Sequence, residues 1–493
     1  MLRRVLIANR GEIAVRVLRA LRSLGVEGVA VYSDADAGAP YTRLADQAVR
    51  LGPAEARLSY LDQDRILDVA RRTKADAIHP GYGFLSENEG FAAKVTENGL
   101  VWIGPPPSAM RKLGNKVAAR ALAKKQGVPT APGSDGALRD PAEAARVAQD
   151  VGYPVILKAS SGGGGIGMRV VRRLEEMERE FEGARSTALA AFGNEAVFLE
   201  KYLERPRHIE LQVMGDAKGH VVHLGERECS IQRRHQKLLE EAPSPAIDAA
   251  ERGKLGELGL RLMKAAGYEN AGTLEFLYQD GQFYFNEVNA RLQVEHPVTE
   301  RVYGVDLVQA QIRVASGEAL PWKQSELKPN GHAIEVRLNA EDPLHDFRPT
   351  PGLLRRWDIP AEDGVRVDSG VEAGWRVPAA YDSLLAKVVA WGPTRGDAIA
   401  RLEKCLARVD VTGTPTNLRL HRAILRDAAF RSGDLSTRFL DERKIVDILR
   451  TEHAGRRRDA MIIAAALAFS PRGGPGVAFE RANRPRRIPE VAP

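Results

Sequence analysis

Short apolar runs alternate with helical periodicity over the first 115 residues. Residues 5–8 (Val-Leu-Ile-Ala) form one run, 12–24 carry apolar residues at helical spacing, and 29–32 form the next run. A helix-like stretch at 66–73 precedes the runs at 77–78 and 101–104. Apolar runs without alternation predict strands buried on both faces, and helices between them predict a parallel sheet covered on both sides. Asn9-Arg10-Gly11-Glu12 falls at the first strand-to-helix turn, the end of such sheets where ligands bind. Tight-turn geometry explains its one glycine equally well.

Residues 116–126 read as a helix and 128–133 as a Pro/Gly-rich loop. A strand at 154–158 ends on Lys158, four glycines follow at 162–165, and a strand resumes at 168–171. Two strands joined by such a loop predict a flexible flap. A helix-capped phosphate loop is excluded, because no Gly-Lys-Ser/Thr and no helix follows. Consecutive glycines expose backbone N–H groups and let a phosphate chain approach. Residues 196–203 look like a strand turning into a hinge, which could hold a flat base by its backbone or simply connect. His208, Glu210 and Gln212 alternate along the next strand. The cation-dense stretch 227–237 fits an anion-binding loop or an exposed charge run.

The densest chemistry lies at 273–295. Two apolar runs, 273–277 and 283–285, flank Asp280-Gly281, a strong hairpin signal. Side chains two apart on a strand share a face, so Glu287, Asn289, Arg291, Gln293 and Glu295 would point one way if the strand continues. Asp/Glu and Asn oxygens suit Mg²⁺, and an arginine fork grips a small planar anion. A two-residue loop would put Glu275 opposite Asn286. A three-residue loop with a glycine bulge would put it opposite Glu287. Adjacent, partly buried carboxylates repel unless a cation lies between them. The bulged register is therefore expected, with a divalent metal on Glu275, Glu287 and Asn289.

Residues 331–447 hold further short strands (333–338, 385–391) and two helical stretches, a mixed α+β pattern. Arg337 lies mid-strand, where a structural salt bridge is the ordinary explanation. After residue 451 come one short Ala-rich helix pattern and then Pro, Gly and Arg. A basic, flexible tail at 448–493 is expected.

The chain's 493 residues exceed one core, so two to four domains are expected, and 44% apolar with 28% charged residues argues against wholesale disorder. Two cysteines, Cys229 and Cys405, exclude a disulfide framework and suit a reducing compartment. The longest apolar run, 461–469, is half a membrane span. Net charge is +7, but 451–493 holds eight Arg against four acids, so the remainder gives little reason to expect nucleic-acid binding. A soluble cytoplasmic protein, binding neither nucleic acid nor membrane, is expected.

Four motifs occur in order: 7–14 (Ile-Ala-Asn-Arg-Gly-Glu-Ile-Ala), 79–88 (His-Pro-Gly-Tyr-Gly-Phe-Leu-Ser-Glu-Asn), Arg234-His235-Gln236-Lys237, and 289–299. On these the chain, from about Leu2 to Lys444, resembles the biotin carboxylase subunit of biotin-dependent carboxylases (acetyl-CoA carboxylase type), of the ATP-grasp superfamily. The resemblance implies a Rossmann-like parallel-sheet domain at 1–115 and an ATP-grasp domain at 116–330 with a Gly-rich mobile lid at 131–203. It implies a C-terminal α+β domain at 331–447. The activity it implies is ATP-dependent carboxylation of biotin with bicarbonate via carboxyphosphate. Lys116, Lys158, Gly164, Gly165, Glu200, Lys201, Tyr202, Leu203, His208 and His235, with Glu275 and Glu287, would hold ATP. Glu275, Glu287 and Asn289 match the ligands of Mg²⁺ or Mn²⁺, as the hairpin argument also expects. Lys237, Arg291, Gln293, Val294 and Arg337 match the bicarbonate site and Glu295 the general base. Arg337 would face the ureido oxygen of biotin, with Tyr82 beside it.

Ile166 stands where relatives carry Arg or Lys, and Asn286 where an apolar residue is usual, its side chain expected on the sheet face away from the metal. Flap closure and nucleotide affinity are where these departures would act. No Ala-Met-Lys-Met hairpin is present, so biotin is expected on a separate carrier protein, with a separate carboxyltransferase. Family likeness also implies a homodimer. The final acceptor stays open among acetyl-CoA, propionyl-CoA and pyruvate. Two other readings compete: another ATP-grasp ligase joining an activated carboxylate to an amine, and a binding module whose basic tail recruits nucleic acid or membrane.

Overall fold

Val5, Leu6 and Ile7 are wholly buried, as a run apolar on both sides of its strand requires, and they form the central strand of the first sheet. The computed structural model of the protein describes residues 2–160 and 167–469; at 456, 457 and 463–469 the backbone alone is described. Strands β1 (Arg4–Ile7), β2 (Glu27–Ser33), β3 (Gln47–Gly52), β4 (Ala77–His79) and β5 (Val101–Trp102) are all parallel, in the order β3-β2-β1-β4-β5. The helix expected at 12–24 runs Gly11–Ser23. That at 66–73 runs Gln63–Arg72, with Thr73 as its C-cap, and the Asp62 carboxylate caps the Arg65 N–H. Strand β3 was not expected: it is an edge strand, largely solvent-facing at its start, so its sequence has no apolar run to betray it. The strand order reverses between β1 and β4, and the loops there interlock. The Asn9 amide donates to the carbonyls of Pro80 and Tyr82, both at 2.7 Å. Gly81 has φ +64°, and a Cβ there would lie 2.9 Å from that amide, so both backbone and space demand glycine.

A small antiparallel sheet follows: β6 (Val155–Ala159), β7 (Arg169–Val171) and β8 (Val197–Lys201), in the order β7-β6-β8. Val155, Leu157, Val171, Val197 and Leu199 pack under the helices Pro141–Val151 and Met177–Phe192. Period-two alternation then forces Lys158 and Glu200 onto the opposite face. The glycines 162–165 and Ile166 lie outside the described residues.

The main sheet is antiparallel. Its strands β9 (Arg207–Gly215), β10 (Val221–Arg233), β11 (Gln236–Ala242), β12 (Asn270–Gln279), β13 (Gln282–Asn289) and β14 (His332–Asn339) are joined by strands Leu384–Gly392 and Val365–Ser369. They run β13-β12-β9-β10-β11-β14, then Leu384–Gly392 and Val365–Ser369. The α+β region at 331–447 thus adds three strands to the sheet begun at 207. Ile209, Leu211, Val213, Leu274 and Phe276 form one core with Leu255, Leu262 and Met263 of the helix Ala249–Ala266. That leaves His208, Glu210, Gln212, Thr273 and Glu275 on the other face. A last helix runs Ile445–Phe469, longer than the short pattern expected there; residues 470–493 of the expected tail lie outside the described residues. Among the described residues no helix is long and apolar enough to cross a membrane.

Candidate active site

Glu275 and Glu287 are cross-strand partners, as expected, but not by the expected route. The β12–β13 turn has two residues, not three: Gln279 pairs with Gln282, and Asp280 and Gly281 have φ of 53° and 75°. Asp-Gly satisfies both left-handed positions of such a turn, so nothing forces a longer loop. The extra residue is Asn286, bulged between the Phe276–Phe285 and Glu275–Glu287 pairs. Its side chain is not on the far face, as expected; its Oδ1 lies 3.4 Å from Lys158 Nζ. Glu275 also pairs with Glu210 on β9, so three carboxylates form a row across β9, β12 and β13. Sequence reasoning gave Glu210 no role, although its alternation with His208 was the available signal.

The strand does not continue to Glu295, as alternation alone had suggested; it ends at Asn289. A loop gathers the later residues instead. Arg291 donates to Asn289 Oδ1 and Gln293 Oε1, both at 3.0 Å, and pairs with Glu87 at 3.1 Å. Gln293 Nε2 reaches Glu275 at 3.3 Å. The Val294 carbonyl accepts from Lys387 at 2.9 Å, and Glu295 stands at the N-cap of the helix His296–Tyr303.

Glu295 is fully buried between two cations, Lys237 at 2.8 Å and Arg337 at 3.0 Å. Burial alone would raise its carboxyl, but Lys237, Arg337 and Arg227 outweigh it and hold the group well below the usual carboxylate range. Lys237 also contacts Glu210 and lies 3.0 Å from Glu275. Burial opposes its charge, yet Glu275 and Glu295 raise its pKa. Arg337 is held on its other side by Glu240 at 2.6 Å. Burial, against the pull of Arg337 and with Glu295 adding repulsion, pushes Glu240 up to about 7.

The small sheet faces this centre with its own cations. Lys158 lies 2.5 Å from Glu200, which also binds Arg120. Lys116, at the start of the helix Lys116–Lys125 that Asn115 caps, pairs with Glu287 at 2.7 Å. At the hinge, the Lys201 and Tyr202 N–H groups donate to the carbonyls of Pro132 and Pro154. Lys201 Nζ bonds the Gly152 and Tyr153 carbonyls at 2.9 and 3.0 Å. Leu203 follows directly, half-buried. His208 Nε2 lies 3.2 Å from Glu275.

Over most of its length the cation-dense run is neither a loop nor an exposed patch. It is β10, a two-residue turn at Arg234-His235 with φ of 48° and 65°, and β11. Arg227, wholly buried, donates to Glu210 at 3.0 Å, Gln212 at 2.7 Å, and Thr273 and Thr299. As the cross-strand partner of Glu210, it props that end of the row of acids. His235 sits at the turn, and burial together with the charges of Lys158, His208 and Lys116 lowers its imidazole pKa.

Oxygens of Glu275, Glu287 and Asn289 on one rigid face make a hard donor set that suits Mg²⁺ or Mn²⁺, and Lys116 and Lys237 lie close enough to share their charge. His208 and Glu210 come within 4.8 Å of Glu275 by their donor atoms.

A small lysine-bearing sheet facing the acidic side of a larger antiparallel sheet defines the ATP-grasp class of fold. Within it, the chain belongs to the biotin carboxylase family. Residues 1–110 match the biotin carboxylase N-terminal domain, 115–323 the ATP-binding domain of the carbamoyl-phosphate synthase L chain, and 335–442 the biotin carboxylase C-terminal domain. The chain is 52% identical to a pyruvate carboxylase subunit of Methanothermobacter thermautotrophicus over 442 residues, 90% of each chain. It is 48% identical to biotin carboxylase of Pseudomonas aeruginosa over 448 residues, covering 91% of this chain and all of the other. A solved structure of similar shape is the biotin carboxylase domain dimer of Hydrogenobacter thermophilus 2-oxoglutarate carboxylase, with MgADP, ADP and bicarbonate. Its TM-score is 0.88 at 46% identity, covering 90% of this chain and 98% of that one.

Proposed function

We propose that this chain carboxylates carrier-bound biotin with bicarbonate and ATP, the first half-reaction of a biotin-dependent carboxylase. The observation that carries the reading is Glu295 buried between Lys237 and Arg337, one loop away from the oxygen set of Glu275, Glu287 and Asn289. Those three oxygens would hold Mg²⁺ or Mn²⁺, which when bound neutralises charge on the phosphates in transfer. Lys116, on the helix Lys116–Lys125, and Lys158, in the lid (131–203), hold the phosphates; Gly164 and Gly165, also assigned to ATP, lie outside the described residues. Glu200 sets the position of Lys158, the 201–203 hinge takes the base, and His208 and His235 line the nucleotide's path.

Bicarbonate is a poor electrophile and must be activated. Lys237, the Arg291 fork, Gln293 and the Val294 backbone orient it, and Glu295 takes its proton as the oxyanion attacks the terminal phosphate, breaking its bond to ADP, which leaves, and giving carboxyphosphate. In the resting site Glu295 is a weak base, because Lys237 and Arg337 neutralise it. A bicarbonate anion between the same cations competes for their charge and strengthens it. Carboxyphosphate then breaks down to CO₂ and phosphate; the phosphate removes the biotin N1 proton, and N1 attacks the CO₂ to give carboxybiotin. Arg337 faces the charge that develops on the ureido oxygen, with Tyr82 alongside.

The carrier and carboxyltransferase are separate subunits, the active form is a homodimer, and Cys229 and Cys405, both buried and unpaired, suit the cytoplasm. The acceptor, whether an acyl-CoA or a 2-oxo acid, is chosen by the carboxyltransferase. The purified chain, given MgATP, labelled bicarbonate and free biotin, should release ADP and fix label into acid-labile carboxybiotin. ADP release indifferent to biotin, or no label fixed, would overturn the reading in favour of another ATP-grasp ligase.

A further inference from the structure

The Asn9-Arg10-Gly11-Glu12 turn has no place in the chemistry above, yet Glu12 is buried and reaches towards the site from the first turn of the helix Gly11–Ser23. Its carboxylate accepts from the Tyr82 hydroxyl and lies 2.9 Å from the amine of Lys387. Lys387 is wholly buried, with 0% exposure, and its amine donates to the Val294 carbonyl at 2.9 Å. Its register is also informative: Lys387 is the direct cross-strand partner of Arg337. Like charges opposite one another destabilise a sheet, and this rung is tolerated because the acids divide. Arg337 takes Glu240 and Glu295, whereas Lys387 takes Glu12 and, at 4.0 Å, Asp368. A wholly buried lysine is costly in a fold, and a leucine would fill the strand position at less cost. What leucine could not do is grip a carbonyl one residue before Glu295.

We propose that Lys387 is a positioning residue: holding the Val294 carbonyl and the Glu12 carboxylate together, it orients the peptide that carries Glu295 and ties the bicarbonate loop to Tyr82. Val294 O, Lys387 Nζ, Glu12 and the Tyr82 hydroxyl form one chain of contacts between the loop that would hold bicarbonate and the side chain that would border biotin. The inference rests on the functional reading above for the roles of Glu295 and Tyr82.

Lys387→Met alone would strand Glu12 as an unpaired buried acid, so the test is the double variant Glu12→Gln/Lys387→Met, which removes both partners. Its thermal midpoint should recover relative to Lys387→Met alone. Its KM for bicarbonate should still rise at least about 10-fold, and its kcat for biotin carboxylation should fall about 10²-fold, the scale of a misplacement near 1 Å. KM for ATP should stay within about twofold, because no member of the chain touches the nucleotide side. A purely structural role predicts that all kinetic constants recover with stability; that result would overturn the proposal. Should the double variant not fold, Glu12→Gln serves alone. It leaves Lys387 and Asp368 in place and should raise KM for bicarbonate several-fold while ATP KM holds; an unchanged bicarbonate KM would overturn the proposal. If the unmutated chain fixes no label into biotin, the functional reading fails first. If it does and these variants match it, the positioning role alone fails.

Discussion

Arg337→Met separates the two halves of the proposed chemistry. The guanidinium is largely buried and serves two wholly buried carboxylates, Glu240 at 2.6 Å and Glu295 at 3.0 Å. Removing one partner of a buried pair costs roughly 3–5 kcal/mol, because the other is left as an uncompensated charge. Here Glu295 keeps Lys237 at 2.8 Å, and Glu240, already pushed up to about 7, takes a proton readily. The cost should therefore fall near the lower end, about 3 kcal/mol, measured by urea unfolding at pH 7. The chemical loss is a different quantity. A fixed cation aimed at a developing oxyanion contributes roughly 10²–10³ in rate, and that loss should appear in biotin carboxylation.

Bicarbonate-dependent ADP release without biotin does not need the ureido oxygen stabilised, so it should fall much less. Glu295→Gln is the control, because a general base acts before the two activities diverge: both should fall together, by roughly 10²–10⁴. Label fixation and coupled ADP release on the same preparations give the two ratios. Equal losses of both activities in Arg337→Met would refute the assignment of Arg337 to biotin, and full carboxylation in Glu295→Gln would refute the base.

Glu335 is wholly buried with neither carboxylate oxygen hydrogen-bonded, and burial, with Glu240 adding repulsion against the pull of Lys387, raises its pKa well above 4.5. Above pH 4.5 the unfolded chain loses this proton while the folded one keeps it. Stability should thus fall by about 1.4 kcal/mol per pH unit towards the folded pKa. Glu335→Gln lacks the effect and should gain on the parent steadily from pH 5 to 7; parallel stability–pH curves would disprove it. Glu287→Gln should leave the fold intact and weaken Mn²⁺ binding at least about 10-fold, read by Mn²⁺ paramagnetic resonance without nucleotide; unaltered binding would move the metal elsewhere. Arg227→Met should cost about 3 kcal/mol, the lower end for a broken buried pair, since Glu210 keeps Lys237, and a loss below about 1 kcal/mol would show the prop to be dispensable.

Much of the fold was legible because it follows from local periodicity. The buried runs of β1, β2, β4 and β5 and the helices Gly11–Ser23 and Gln63–Arg72 announce themselves within a dozen residues. What stayed hidden depends on distant pairing. Strand β3 is half-exposed at an edge, and the joining of β14 to β11 can be seen only once Glu240 and Glu335 are known to be neighbours. The site divides the same way. Lys158, Glu275, Glu287 and Asn289 sit at a strand end or on alternating faces and could be picked out, whereas Lys116 came only with the family resemblance. Glu210, Arg227, Glu240 and Lys387 look like ordinary strand residues, because their partners lie elsewhere in the chain. Lys387 and Val294 are 93 residues apart, and no spacing rule connects them.

The hairpin shows how a correct pairing can follow from an incorrect turn. The demand was that Glu275 and Glu287 share a face, and one extra residue anywhere between Glu275 and Glu287 meets it. Asp280-Gly281 is satisfied with two residues, so the surplus had to go elsewhere, and the apolar positions already say where. Phe283, Phe285 and Val288 are all buried on the core side. The first two are two apart, but Phe285 and Val288 are three apart, a spacing no regular strand can place on one face. The bulge must lie at 286–287, and a polar residue there, Asn286, can turn towards Lys158 without leaving an apolar side chain in the cleft. Deleting Asn286 should therefore straighten the strand without moving the acidic pair, because regular pairing of the shortened chain already sets Glu275 opposite Glu287 and Leu274 opposite Val288. The variant loses the contact with Lys158, as Asn286→Ala does, so the two should match in metal-dependent ATP binding and in stability. A deletion variant that lost MgATP binding while Asn286→Ala kept it would show that the bend of the bulge, and not the pairing alone, sets the acidic pair.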